Sequence, residues 1–223
     1  MYRFALLGGN EFLAPCEQFD RAIISMCSSM SPNVTIIPTA AANQNPHLAV
    51  KNGCDYFKKL GANPNSVSIL TRKDANNLDL TSQIQSSDII YLTGGDPNHL
   101  VNVMKQSVFL QTLLDKMEDG TIVAGSSAGA MAMGPMMHYG KFTEALSIAN
   151  SIISIPHHEN KAPEIIHRET LKYIETGVTV IGLDSGTGII SDGATYNIYG
   201  DGQVVIYEMK AWQTYQTGEA LNL

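Results

Sequence analysis

An alcohol becomes a useful nucleophile only when the backbone thrusts it out and a base takes its proton. One stretch of this sequence is suited to the first of these needs, Ile122-Val123-Ala124-Gly125-Ser126-Ser127-Ala128-Gly129-Ala130. It fits Gly-x-Ser-x-Gly with Ser127 at the centre, after an apolar run suited to a strand and before Ala, Met and Ala suited to a helix. Gly125 and Gly129 bring no side chain into the tight bend, whose strain holds the serine hydroxyl above the carboxyl edge of a sheet. The N–H of Ala128, first in the helix, is free to donate to an oxyanion with the helix dipole behind it. The same residues also suit a close-packed strand-helix corner or a phosphate-binding turn. The flanking strand and helix favour the nucleophile.

The base is sought among six histidines. His47 and His167 fall within amphipathic helical patterns and read as surface residues, and His138 reads as part of an irregular Met-rich loop. His157 and His158 follow the apolar run Ile152-Ile153-Ser154-Ile155-Pro156, so they emerge at a strand's end, where an imidazole can meet Ser127. Pro-His-His also suits an ordinary polar loop. A second glycine turn, Thr93-Gly94-Gly95-Asp96-Pro97-Asn98, lies between an apolar run and a helix. Such loops gather at the carboxyl ends of parallel strands, so Gly95 is a candidate second oxyanion donor. Asp96 or Asn98 as a helix cap explains the turn equally well.

These side chains need a scaffold, and the apolar pattern supplies one. Runs at 3–7, 34–37, 67–70, 89–92, 122–124, 152–155 and 178–183 suit buried strands. Helical stretches are expected at 16–30, 47–60, 98–105, 108–118 and 162–175, with Gly61 and Gly177 as stops. Strand-like segments at 187–191, 194–199 and 203–208 are parted by Asp-Gly turns. The expectation is one α/β catalytic domain over residues 1–223: a three-layer, doubly wound, mostly parallel sheet with a C-terminal antiparallel edge meander. The 223 residues are 44% apolar and 16% charged, with a formal charge of −7. No basic run is available to track a phosphate backbone, and no apolar run approaches a membrane span or a signal peptide. Nucleic acid and membrane are therefore excluded as expected partners. Three unpatterned cysteines, Cys16, Cys27 and Cys54, read as reduced thiols of a cytoplasmic protein.

With Ala5-Leu6-Leu7-Gly8-Gly9, the Gly94-Gly95 loop, the Gly125–Ala130 elbow, Ile155-Pro156-His157 and Ile181-Gly182-Leu183 assembled, the chain resembles the aspartyl dipeptidase (dipeptidase E) and cyanophycinase family of serine peptidases. Their fold is akin to class I glutamine amidotransferases. The resemblance implies Ser127 as nucleophile, His157 as general base and the backbone of Gly95 and Ala128 as oxyanion donors. It implies a short peptide substrate, Asp-X among the candidates, cleaved through an acyl-enzyme by a monomer or homodimer with no metal or organic cofactor.

One position departs from the family. Its third triad member is a glutamate in a Gly-(Leu or Ile)-x-Glu segment, and here that segment reads Gly182-Leu183-Asp184-Ser185. Asp184 or Ser185 on the matching loop, or Glu159 or Glu144 from elsewhere, is left to orient the imidazole. The alternative function is a catalytically weak or inactive binding or regulatory homologue. Family arginines that bind acidic substrate groups have Arg168 as their counterpart, with Lys172 nearby.

Overall fold

Phe4-Ala5-Leu6-Leu7 is apolar on both faces, and every residue of it is buried, as a central parallel strand requires. In the computed structural model, which describes residues 2–219 and Leu221, this strand, β1 (Phe4–Leu7), leads through α1 (Glu17–Ser25) to β2 (Asn33–Ile37) and through α2 (Pro46–Lys59) to β3 (Asn63–Ser66). There follow a short α3 (Leu78–Thr81), β4 (Ile89–Leu92), α4 (Pro97–Met104), α5 (Val108–Glu118), β5 (Ile122–Ser126) and α6 (Ala128–Met133). A hairpin, β6 (Met136–Tyr139) and β7 (Lys141–Glu144), precedes β8 (Ile152–Pro156), α7 (Pro163–Ile174) and β9 (Thr179–Leu183). The last strands are β10 (Gly188–Ser191), β11 (Tyr196–Tyr199), β12 (Val204–Tyr207) and β13 (Trp212–Tyr215).

Seven strands form the main sheet in the order β11-β10-β1-β5-β4-β2-β3. Its five inner and far strands run parallel, and β10 and β11 close one edge antiparallel. One face packs Ala5, Leu7, Ile36 and Tyr91 against α1 and α2 through Phe19, Ile23 and Phe57. The other packs Leu6, Ile90, Leu92 and Val123 against α4, α5 and α6. The expected α/β layering with its antiparallel edge is present.

Four local expectations change. The runs at 152–155 and 178–183 do not join the main sheet. As β8 and β9 they pair with each other in a second, four-stranded sheet, β13-β12-β9-β8, which lays Ile152, Ile181, Leu183 and Val204 on the α6 side of the core. The run at 67–70 is not a strand: the edge strand is the polar Asn63–Ser66, which tolerates Pro64 because it pairs on one side alone. Val67 and Ile69 are buried just beyond it. His138 sits in β6 rather than in an irregular loop, stacked near Phe142 with ring centroids 4.6 Å apart. Helix α1 also stops at Ser25, before the serine-rich stretch that follows. Among the described residues, no helix is long and apolar enough to cross a membrane.

The α1 face hides an ionisable group. Asp20 is wholly buried, and neither of its oxygens, nor the Tyr56 or Tyr91 hydroxyl, has a hydrogen-bond partner. Burial pushes its carboxyl up to about 8; the nearby Tyr56 hydroxyl draws it down and Glu11 adds to the rise. In the unfolded chain the same carboxyl titrates near 4. Between those values the native state holds a proton that the unfolded state has released, so this group's contribution is intact below about pH 4 and declines as pH rises towards 8, by at most about 1.4 kcal/mol per unit. Asp20→Asn is therefore expected to raise Tm over wild type at pH 8 more than at pH 5. A Tm difference between the two that is constant across this interval would refute it.

Candidate active site

Four loops meet at the carboxyl edge of the main sheet, because β1, β5, β4 and β2 are neighbours that all point the same way. The loop after β5 carries Ser127. Its backbone is held at φ 48° and ψ −108°, a conformation that a non-glycine residue adopts only under constraint. The constraint is visible: the Ser127 N–H donates to the Leu7 carbonyl at 3.0 Å, and its carbonyl accepts from Met131 N–H at 2.9 Å. The flanking glycines are obligatory by contact. A Cβ on Gly129 would lie 2.2 Å from the Leu92 carbonyl oxygen, and one on Gly125 would lie 2.7 Å from the Gly129 backbone.

His157 arrives from the second sheet, directly after β8, also in a left-handed conformation at φ 51°. Its N–H donates to the Gly8 carbonyl at 2.9 Å. Gly9, at φ 135°, lies flat against the imidazole, and a Cβ there would fall 2.2 Å from the ring's Cε1. The Gly8-Gly9 pair thus seats the ring, a role that sequence reading did not assign. The available signal was a glycine pair at a strand's carboxyl end, as at Gly94-Gly95.

The Ser127 Oγ lies 2.9 Å from His157 Nε2, and His157 Nδ1 lies 2.9 Å from Ser185 Oγ. Ser185 donates its hydroxyl proton to Glu159 Oε1 at 2.6 Å, and its N–H donates to Glu159 Oε2 at 3.0 Å. A carboxylate accepts and does not donate. The single Ser185 proton is therefore committed to Glu159, and its oxygen is left to accept from Nδ1–H. That assigns the proton of a neutral His157 to Nδ1 and leaves Nε2 as acceptor for the Ser127 hydroxyl, the tautomer of a general base. Burial pushes the Glu159 carboxyl up, but the Ser185 hydroxyl and N–H, with His157 also contributing, outweigh it and hold the group below the usual glutamate range.

Of the other orienting candidates, Asp184 turns away. Its Oδ2 accepts from the Gln203 N–H at 2.9 Å, and its Oδ1 lies 3.9 Å from His158 Nδ1. Glu144 is ion-paired to Lys105 at 2.6 Å. His158 is buried against Gly182 and lies 2.6 Å from the Tyr207 hydroxyl. Burial holds its pKa below the usual histidine value, with Asp184 and Glu159 opposing; it braces the second sheet. Arg168 is exposed on α7 and is not among the residues that line the cleft beside Ser127.

Gly95 and Ala128 flank the nucleophile. Among the described residues neither N–H donates to a protein acceptor, while Asp96 caps α4 through Asn98 N–H and His99 N–H. Glu11, absent from the sequence reading, joins the two loops: its Oε1 accepts from Gly94 N–H at 2.7 Å and its Oε2 from the Ser126 hydroxyl at 2.8 Å. Among the described residues no three His, Cys, Asp or Glu side chains converge in a metal-binding group. The arrangement can activate a hydroxyl beside a cleft that Gly95 also lines.

A model of peptidase family S51 matches residues 4–199. An uncharacterized peptidase of Listeria monocytogenes is 28% identical over 106 residues, 48% of this chain and 50% of that protein. One of Pasteurella multocida is 26% identical over 133 residues, 60% of this chain and 63% of the relative. A cyanophycinase of Trichormus variabilis is 24% identical over 59% of this chain and 44% of its own length. The chain thus spans about half the length of the curated relatives it matches. The crystal structure of a peptidase from an acI-B1 actinobacterium superposes with a TM-score of 0.87 over 100% of this chain and 97% of that one, at 24% identity. A putative peptidase E from Listeria monocytogenes gives 0.66 at 20% identity over 91% of this chain and 100% of that one. At these identities the two structures establish the fold.

Proposed function

The chain belongs to peptidase family S51, and from that premise we propose that it hydrolyses short peptides through an acyl-enzyme on Ser127. The observation that carries the reading is the 2.9 Å contact between Ser127 Oγ and His157 Nε2 at the mouth of a cleft. Ser127 attacks the scissile carbonyl as His157 Nε2 takes its proton. The oxyanion is received by the Gly95 and Ala128 N–H groups. The protonated imidazole then gives its proton to the departing amine, and a water activated by the same ring releases the acyl group.

Ser185 and Glu159 act through the ring. The hydroxyl fixes its tautomer, and the carboxylate behind stabilises the positive charge that forms on it, one hydroxyl further away than in a direct carboxylate contact. The longer relay supports a slower enzyme rather than a silent one, because the base keeps an acceptor on its far side.

A fluorophosphonate probe tests the reading on the unmodified protein. Covalent labelling of Ser127, mapped by peptide mass spectrometry, is expected. Hydrolysis of members of a dipeptide panel is expected beside it. Labelling that is absent, or that falls on another serine, rules the mechanism out.

A further inference from the structure

The cleft beside Ser127 has a volume of ≈ 370 Å³, towards the lower end of the roughly 300–1,000 Å³ of ligand pockets. Among the described residues lining it there is no lysine or arginine, and its one acidic side chain is Glu11. Phe12, Ala41, Leu48 and Ala49 form apolar wall, and Gln44 and Asn52 add neutral amides. No lysine or arginine in this lining offsets the charge of an acidic side chain, and a second carboxylate there would face Glu11.

The position of Glu11 is more informative than its charge. Its two oxygens accept from Gly94 N–H and from the Ser126 hydroxyl, and those residues directly precede Gly95 and Ser127, which grip and attack the carbonyl. A carboxylate offers about four lone-pair directions, so acceptor capacity is left over. In the first residue of a peptide, the ammonium and the carbonyl are borne by one α-carbon, through bonds of about 1.5 Å each. A carboxylate anchored one residue from both the oxyanion donor and the nucleophile is thus in the region that the ammonium must occupy.

We propose that Glu11 receives the free amino terminus of the substrate, and that the residue bearing this terminus carries an uncharged side chain. The enzyme then removes or splits at a neutral N-terminal residue and disfavours Asp-X. The proposal deepens the serine-peptidase reading and rests on it.

The test compares kcat/KM for alanine p-nitroanilide, N-acetyl-alanine p-nitroanilide and aspartate p-nitroanilide, in wild type and in Glu11→Gln. Glutamine keeps an acceptor for Gly94 N–H, and its amide can donate to the Ser126 hydroxyl. The free alanine substrate is expected to exceed the acetylated one by about 10–100-fold, the worth of one charge-assisted hydrogen bond, and to exceed the aspartate one through the repulsion between its side-chain carboxylate and Glu11; the free-to-acetylated ratio is expected to fall towards one in Glu11→Gln. A second reading needs no variant: the wild-type KM for free alanine p-nitroanilide is expected to rise near pH 8, as the ammonium is lost, and the acetylated substrate is expected to show no such rise. Equal use of free and acetylated substrates, a ratio that Glu11→Gln leaves unchanged, or a preference for aspartate overturns the proposal while fluorophosphonate labelling of Ser127 leaves the peptidase reading standing. Failure of that labelling, with no substrate turned over, removes both.

Discussion

Ser127→Ala is expected to lower kcat on any peptide the enzyme cleaves by about 10⁶-fold, leaving only what oxyanion donors and binding give without a nucleophile. The size follows from the geometry. The Ser127 side chain has one protein partner among the described residues, the ring nitrogen of His157, and no second hydroxyl shares that contact: Ser126, its neighbour, donates instead to Glu11. Binding is expected to survive, because the N–H groups of Gly95 and Ala128 belong to the backbone. Stability is expected to change by less than about 1 kcal/mol. Alanine must adopt the same positive φ as serine, the elbow is fixed by backbone contacts at Leu7 and Met131, and the lost hydroxyl is half-buried rather than packed in the core. The measurement is kcat and KM on the best substrate of a dipeptide panel, with Tm beside them. A variant with more than about one hundredth of wild-type kcat would show that the nucleophile lies elsewhere.

The second large effect is expected behind the imidazole. Ser185→Ala removes the acceptor facing His157 Nδ1 and leaves the Glu159 carboxylate without the hydroxyl proton it accepts at 2.6 Å. The ring is then free to place its proton on either nitrogen, and a large share of the molecules lose the acceptor on Nε2. A fall in kcat of about 10²–10³-fold with KM little changed is expected, smaller than the ~10⁴-fold attached to a direct carboxylate partner. Glu159→Gln isolates the charge. It is expected to lower kcat by about 10-fold or more and to move the histidine limb of the pH-rate profile to lower pH, since a carboxylate near the imidazolium favours its protonation. A merely structural role for Glu159 would lower Tm without moving that limb. Ser185→Glu should bring a carboxylate into contact with the ring; activity equal to or above wild type would support the relay, and a collapse would show that the hydroxyl and Glu159 operate as a fitted pair.

Much of this site was legible from the chain alone. The elbow announces itself because its demands are local: glycine where a Cβ would strike Leu92 or Gly129, a strand before and a helix after. The Gly94-Gly95 turn follows from the rule that parallel strands deliver their loops to one edge, and the histidine after Pro156 from its place at the end of an apolar run. The third member was a different matter. Asp184 and Ser185 are adjacent and leave β9 in opposite directions, so which one meets the ring depends on where Gln203, on the approach to β12, stands to hold Asp184. Glu159 lies two residues beyond His157 yet reaches the ring only through a hydroxyl 26 residues further on. The runs at 152–155 and 178–183 read as ordinary parallel strands, and they are parallel to each other; their departure into a second sheet leaves no mark in their apolar pattern.

The sequence by itself therefore determined the strained serine, the loops gathered around it, the α/β class and a histidine able to serve. Those follow from backbone sterics and hydrophobic period, which act over a few residues. Tertiary structure alone decided the partnering: His157 brought in from a separate sheet and seated on Gly9, Ser185 interposed before Glu159, and Glu11 spanning 83 residues to Gly94 and 115 to Ser126. Hydrogen bonds of that reach are fixed by which strands become neighbours and by which way one loop residue turns, and neither is written in any short stretch of the chain.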